Sequence, residues 1–223
     1  APKNLNLDLF NHPLLLMSDT VSKWVNNLHG IFLANHNQDT GLRFWDKERW
    51  TREIRNARRM GANAICFLPI QYGQRRPEDF LNDAPHWGLQ QAIARQIQAE
   101  GLSVGIYVGL NDVFPQTWQS HPGWQAGEGR YFLEEAHVCP SIPEAWEEII
   151  RLRRRLFSTL PHVDFMVTPA TDYGGCGCER CAPWPQTYLR CLGEIAQLLR
   201  DYHPQAAVFG AGHGLPLSDL DAL

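Results

Sequence analysis

Ala62-Asn-Ala-Ile-Cys-Phe-Leu-Pro-Ile70 is the stretch on which the fold turns. Apolar residues run through it almost without a break, whereas a strand facing water on one side would alternate. Such a run is the mark of a strand covered on both faces, as in parallel sheets. Leu102-Ser-Val-Gly-Ile-Tyr-Val-Gly-Leu110 repeats the pattern, and Gly30-Ile-Phe-Leu-Ala34, Val163-Asp-Phe-Met-Val167 and Ala206-Ala-Val-Phe209 are shorter versions.

Between these runs the period changes from continuous to helical. Asp46 is placed as an N-cap, Trp50, Ile54 and Ala57 recur on one helical face, and Gly61 stands where a C-cap glycine belongs. Leu89, Ile93 and Ile97 mark a second helix that stops at Gly101. Ser141-Ile-Pro-Glu144 reads as a capping box with Pro143 in the first turn, ahead of Trp146, Ile149, Ile150, Leu152 and Leu156. Tyr188, Leu192, Ile195 and Leu199 mark the last helix. Strand and helix alternating without hairpin signals means parallel βα units. No glycine-rich phosphate loop follows the first strand, so a dinucleotide-binding sheet lacks its fingerprint.

The expected fold is therefore α/β, a (β/α)8 TIM-barrel-like architecture with its first five units present. Residues 1–28 read as a lead-in segment and 29–223 as the partial barrel. Eight units close a barrel. The remaining strands are expected from a C-terminal part beyond Leu223, and a start at Ala1-Pro2 instead of Met reads as processing, trimming or a fragment.

Composition narrows the function classes. Twenty Lys and Arg against 24 Asp and Glu give a net charge of −4, which argues against a nucleic-acid partner, for which a basic excess is the usual footprint. No apolar run approaches the roughly 20 residues of a membrane span.

Barrel chemistry sits at the C-terminal strand ends. Here those ends carry Asn35, His36 and Asn37, then Gln71 and Tyr72, Asn111 and Asp112, Thr171 and Asp172, and His213. Asp172 is the best-placed acid, with Asp112 on the neighbouring strand as the second carboxylate that glycoside hydrolysis usually needs. Asp39 and Glu179 are weaker choices. Either leading Asp can equally be a turn or cap residue. Asn35, His36, Tyr72, Asn111, Trp184 and His213 are the candidate hydroxyl-binding or stacking groups. Trp45, Tyr72, Trp87, Trp118, Trp124 and Trp184 fall in or near the loops after strands, where an indole face suits a sugar ring. Trp50 and Trp146 belong to helix packing.

The most specific motif is Cys176-Gly-Cys-Glu-Arg-Cys181. Three thiols within six residues can converge on one soft metal. Cys139, in the loop after the preceding strand, is the candidate fourth ligand, with His137 as the alternative. Spacing leaves three outcomes open: a structural zinc, a disulfide, or free thiols. Cys66 and Cys191 read as core.

From 137 to 185 the chain resembles glycosidase-type (β/α)8 barrels of the hexosaminidase and α-glucuronidase-like group. The resemblance rests on Cys139-Pro-Ser141 opening a helix, then a strand, then Asp172-Tyr-Gly-Gly-Cys-Gly-Cys-Glu-Arg-Cys181. It implies sugar chemistry at the strand ends. One departure counts against substrate-assisted hexosaminidase chemistry: that group carries an adjacent Asp-Glu pair where this chain has Asp172-Tyr173.

The reading is thus a carbohydrate-active barrel hydrolysing a glycosidic bond by carboxylate acid/base chemistry, with no catalytic cofactor; a structural zinc is one of the outcomes open to the cysteines. Two alternatives stand beside it: a non-catalytic carbohydrate-binding barrel, and a metal-dependent hydrolase or isomerase with zinc at His and Asp strand ends. Export fits a polysaccharide target, while thiols or zinc fit the cytosol.

Overall fold

A computed structural model of the chain describes residues 28–33, 45–70, 84–127, 137–170 and 175–211. Five strands form one sheet in the order β1 (Gly30–Leu33), β2 (Ala64–Phe67), β3 (Ser103–Tyr107), β4 (Phe165–Pro169), β5 (Ala207–Ala211). Every neighbouring pair is parallel. Sequence order equals spatial order, which is how barrel strands progress. A doubly wound sheet reverses direction part-way.

The helices between them are α1 (Lys47–Arg59), α2 (Ala84–Ala99), the short α3 (Pro115–Ser120), α4 (Pro143–Thr159) and α5 (Trp184–Tyr202). Alternation along the strands separates two faces. Ile65, Phe67, Val104, Ile106 and Met166 share one core with Trp50 and Ile54 of α1, Ile93 and Ile97 of α2, Ile149, Leu152 and Leu156 of α4, and Ile195 and Leu199 of α5. Ala64, Cys66, Phe165 and Ala207 form a separate cluster with half-buried Tyr107, Val167 and Phe209 and no helix residue. The second cluster lies on the face of the sheet that the helices do not cover. Its residues on β2, Ala64 and Cys66, are small, and the Phe165 ring of β4 lies against Gly105 of β3. A Cβ built on Gly105 would come within 2.1 Å of Phe165 Cζ, a severe overlap with the ring.

The opposite, N-terminal rim is stitched by polar residues that stand just before strands. Asn63 Oδ1 accepts from His29 N at 2.9 Å, and Asp164 Oδ2 accepts from Val104 N at 2.8 Å. The Asn63 and Asp164 carbonyls continue the ladder to Ser103 and Ala207. These bonds fix the register in which each strand enters the sheet.

The helix starts divide into one expected and one revised. Asp46 caps α1 by accepting from Arg49 N at 2.8 Å, and Gly61 follows the helix at φ +89°, which glycine adopts without strain. Helix α4 does not start with the expected capping box. Its N-cap is Ile142 and no side chain caps it. Ser141 is drawn instead to the cysteine turn, 3.2 Å from both Arg180 O and Cys181 Sγ. Cys66 and Cys191 are buried in the core as expected.

Gly105→Ala should lower stability by about 1–3 kcal/mol, the usual cost of overfilling a packed site. A fall in the urea midpoint at unchanged slope would show it. An unchanged midpoint would mean that the Phe165 ring yields freely.

Candidate functional site

Of the strand ends expected to carry chemistry, that of β3 is described, while after β4 the described residues resume at Gly175, beyond Thr171 and Asp172. Beyond β3, Asn111 is completely buried. Its Nδ2 donates to Val138 O at 2.7 Å and to Gly175 O at 2.9 Å, while Oδ1 accepts from Gly175 N at 2.9 Å. One amide therefore joins three partners on two loops: Val138 from the excursion after β3, and both backbone groups of Gly175 from the turn after β4. Gly175 sits at φ +114°, where a side chain would be strained. Asn111 was expected to bind sugar hydroxyls. Its hydrogen-bonding groups are used instead to hold the two loops together.

Asp112 comes next and faces Arg153 of α4. The guanidinium is fully buried and pairs with Asp112 Oδ1. It also donates to Gly109 O at 2.8 Å and Asp112 O at 3.2 Å. The side chain of Asp112 is 12% exposed. Breaking such a pair leaves a buried charge, so it is a firm commitment of this carboxylate.

The cysteines converge. Cys139, Cys176, Cys178 and Cys181 place their sulfurs within 4.8 Å of one another. Cys139 Sγ lies 3.6 Å from Cys178 Sγ and 3.5 Å from Cys181 Sγ, and Cys176 lies 3.4 Å from Cys178. A disulfide needs about 2.05 Å, so none is present. Four thiolates about 2.3 Å from a tetrahedral zinc stand roughly 3.8 Å apart, close to the spacing found. Cys139 is the fourth member, as expected, and the converging set does not include His137. Without a cation the thiols oppose one another. The hydrogen bond from Cys176, then that from Cys181, pushes the Cys139 thiol far down. The same Cys139 neighbour is the first cause that pushes Cys176 up to about 11 and drives Cys181 higher still. One thiolate is favoured and full deprotonation calls for a positive charge.

The ribbon carrying Cys139 is built by pairing. Residues Gln125 and Asp112 bridge to Val138 and His137, Ala126 N donates to His137 O at 3.0 Å, and Cys139 N donates to Trp124 O at 2.7 Å. Trp124 stacks on exposed His121 with ring centres 3.9 Å apart.

Other expected residues separate into two groups. Trp184 is 3% exposed and its Nε1 donates to Ala170 O at 2.7 Å, so it packs at the start of α5 and offers no free face. Trp87 lies on α2 and is buried, while Trp45 and Trp118 are half-buried. Asn35, His36, Asn37, Asp39, Gln71, Tyr72, Asp172 and His213 lie outside the described residues. Arg153 and Gly127 are site residues that the sequence reading passed over. Arg153 had a signal: it stands four residues after Ile149 and three before Leu156, on the apolar stripe of α4, where a charge must find a buried partner.

Several solved structures share this architecture. An α-galactosidase from Lactobacillus brevis aligns with a TM-score of 0.52 at 12% identity, over 83% of this chain and 27% of its own. An α-amylase from Geobacillus thermoleovorans complexed with acarbose gives 0.55 at 14%, over 81% and 45%. An α-L-fucosidase from Paenibacillus thiaminolyticus gives 0.54 at 15%, over 82% and 32%. The fold is a partial (β/α) barrel, similar to part of the barrels of these enzymes. The chain spans less than half the length of each of these neighbours. No protein-family model matches it, and no curated protein matches it.

Asn111→Leu should cost about 3 kcal/mol or more, because it strands the Gly175 N–H and two buried carbonyls that each carry a penalty of about 1–3 kcal/mol. Chemical denaturation checks it, and a loss under about 1 kcal/mol would mean that water replaces the amide.

Proposed function

We propose that the chain belongs to a carbohydrate-active barrel that hydrolyses a glycosidic bond, with Asp172 as general acid/base. The observation that carries the reading is the clamped junction of the loops after β3 and β4. Asn111 and the four cysteines fix the turn that begins at Gly175, three residues beyond Asp172. A catalytic acid needs a rigid mount to hold it within a fraction of an ångström of its productive position. The structural neighbours, an α-galactosidase, an α-amylase and an α-L-fucosidase, support the substrate class, although a fold alone does not fix a function. Asn35, His36, Tyr72 and His213 are proposed as hydroxyl-binding groups at the same rim.

Asp112 is the proposed second carboxylate, and it is paired with the buried Arg153 guanidinium. That same pairing favours a second reading, a barrel that binds carbohydrate without cleaving it. A carboxylate locked to a buried guanidinium is poorly placed to exchange protons or attack. The two readings separate in one assay. With the complete native protein and a panel of aryl glycosides, Asp172→Asn should lower kcat/KM by at least about 100-fold, the lower end of general acid/base contributions. Full activity in that variant removes Asp172 from the mechanism. Sugar binding by calorimetry with no turnover on any glycoside establishes the binding barrel.

The four cysteines are proposed to hold a structural zinc through their thiolates, a closed site with no open position for substrate. The rival reading of zinc at His and Asp strand ends has no such group among the described residues, where the cysteines form the one converging set. Elemental analysis should find one zinc per chain, retained in Asp112→Asn and lost in Cys178→Ser. Retention in Cys178→Ser would overturn the assignment.

A further inference from the structure

The metal site contains a residue that is not a ligand. Gly127 lies in the ribbon after β3, and its N–H donates to Cys176 Sγ at 3.2 Å. Its carbonyl accepts from Gly177 N at 2.9 Å. A Cβ at this position would come within 2.8 Å of both Cβ and backbone N of Cys178, and within 3.0 Å of its Cα. The backbone at Gly127 is not in the left-handed region, so the requirement for glycine is one of space. Two backbone strands meet here face to face because one of them has no side chain.

The ligands are also divided between loops. Cys139 comes from the ribbon after β3, whereas Cys176, Cys178 and Cys181 come from the turn after β4. Cys139 N is tied to Trp124 O, and Ala126 N to His137 O, so any force on Cys139 is carried into residues 124–127. Without a metal, the sulfurs offer each other only weak S–H contacts.

We propose that the metal is a latch between these two loops, and that Gly127 is the residue that lets the latch close. Metal binding pulls Cys139 onto the other three sulfurs and seats Gly127 against Cys176, Gly177 and Cys178. The ribbon 124–127 with 137–139 and the turn 175–178 then order as one unit. This rests on the reading of the cysteines as a metal site and extends it to the order of the strand-end loops. Outer-shell partners of a metal site are worth about 10- to 100-fold in affinity, which sets the scale for Gly127.

The test uses the complete protein, stripped of metal under reducing conditions and titrated with cobalt(II), whose thiolate absorption reports the ligand set. Hydrogen exchange read by mass spectrometry with and without the metal should slow at least about tenfold in peptides covering 124–127 and 137–139, as well as in 175–181. Gly127→Ala should bind cobalt(II) about 10- to 100-fold more weakly and still reach the four-thiolate spectrum at saturation. Gly123→Ala, in the same loop but with nothing within 4 Å of the added Cβ, should bind as the parent does. Protection confined to 175–181 under a full four-thiolate spectrum overturns the latch and leaves the metal site standing. Parent-like affinity in Gly127→Ala does the same. If the parent shows no thiolate spectrum at all, the metal reading fails and the latch with it. The exchange measurement on the parent decides the matter even if Gly127→Ala does not fold.

Discussion

The Asn111 amide is the constraint on which the polar end of this sheet depends. In a parallel sheet the strands satisfy one another's backbone groups, but the loops beyond their C-terminal ends have no ladder. Here the loop after β3 leaves at Asn111 and returns at His137, and the loop after β4 turns sharply at Gly175. Buried N–H and C=O groups on both must be paired or they cost free energy. One side chain with two donors and an acceptor answers three of them. Its place is fixed in turn by β3, whose strand neighbours set how far the chain has advanced when Asn111 appears. Move β3 by one residue and the amide points to the other face.

The sheet was readable because burial on both faces leaves a simple trace. Ala64–Phe67 and Ser103–Tyr107 are shorter than the apolar runs around them, yet they sit inside those runs. Helix α1 was readable for a local reason, since Asp46 and Gly61 act within a few residues of their own position. Ser141 misled because a hydroxyl three residues before a Glu satisfies a local rule, while the actual contest was with the Cys181 turn some forty residues on. Convergence of Cys139 with the other three was legible from topology alone, because adjacent parallel strands deliver their following loops to the same rim. Asn111 and Trp184 stand after strand ends, as read, but their assignment to a sugar-binding surface does not fit their burial. No pattern in one sequence distinguishes an amide that faces a cleft from one that closes a loop junction. Gly127 left no trace at all, as its importance lies in the absence of a side chain opposite Cys178.

Charge balance links the cysteine centre to the ion pair beside it. A dication held on these four thiolates, as proposed, would leave a net charge of −2, and three of the four cysteines are buried. Burying net charge is costly unless donors surround it. The donors are in place: Gly127 N–H at Cys176, the Ser141 hydroxyl 3.2 Å from Cys181, and the exposed Arg180 guanidinium, which the charge of Cys139 holds more firmly protonated. Asp112 would add another negative charge to the same rim, since it bridges to His137, two residues before Cys139. Arg153 cancels that charge from the helix side. The buried arginine on the stripe of α4 therefore serves two ends at once. It completes the carbonyls of Gly109 and Asp112, and it meets the charge of the Asp112 carboxylate. The polar rim is a set of compensations in which each charge is acceptable only because a neighbouring group was placed to meet it.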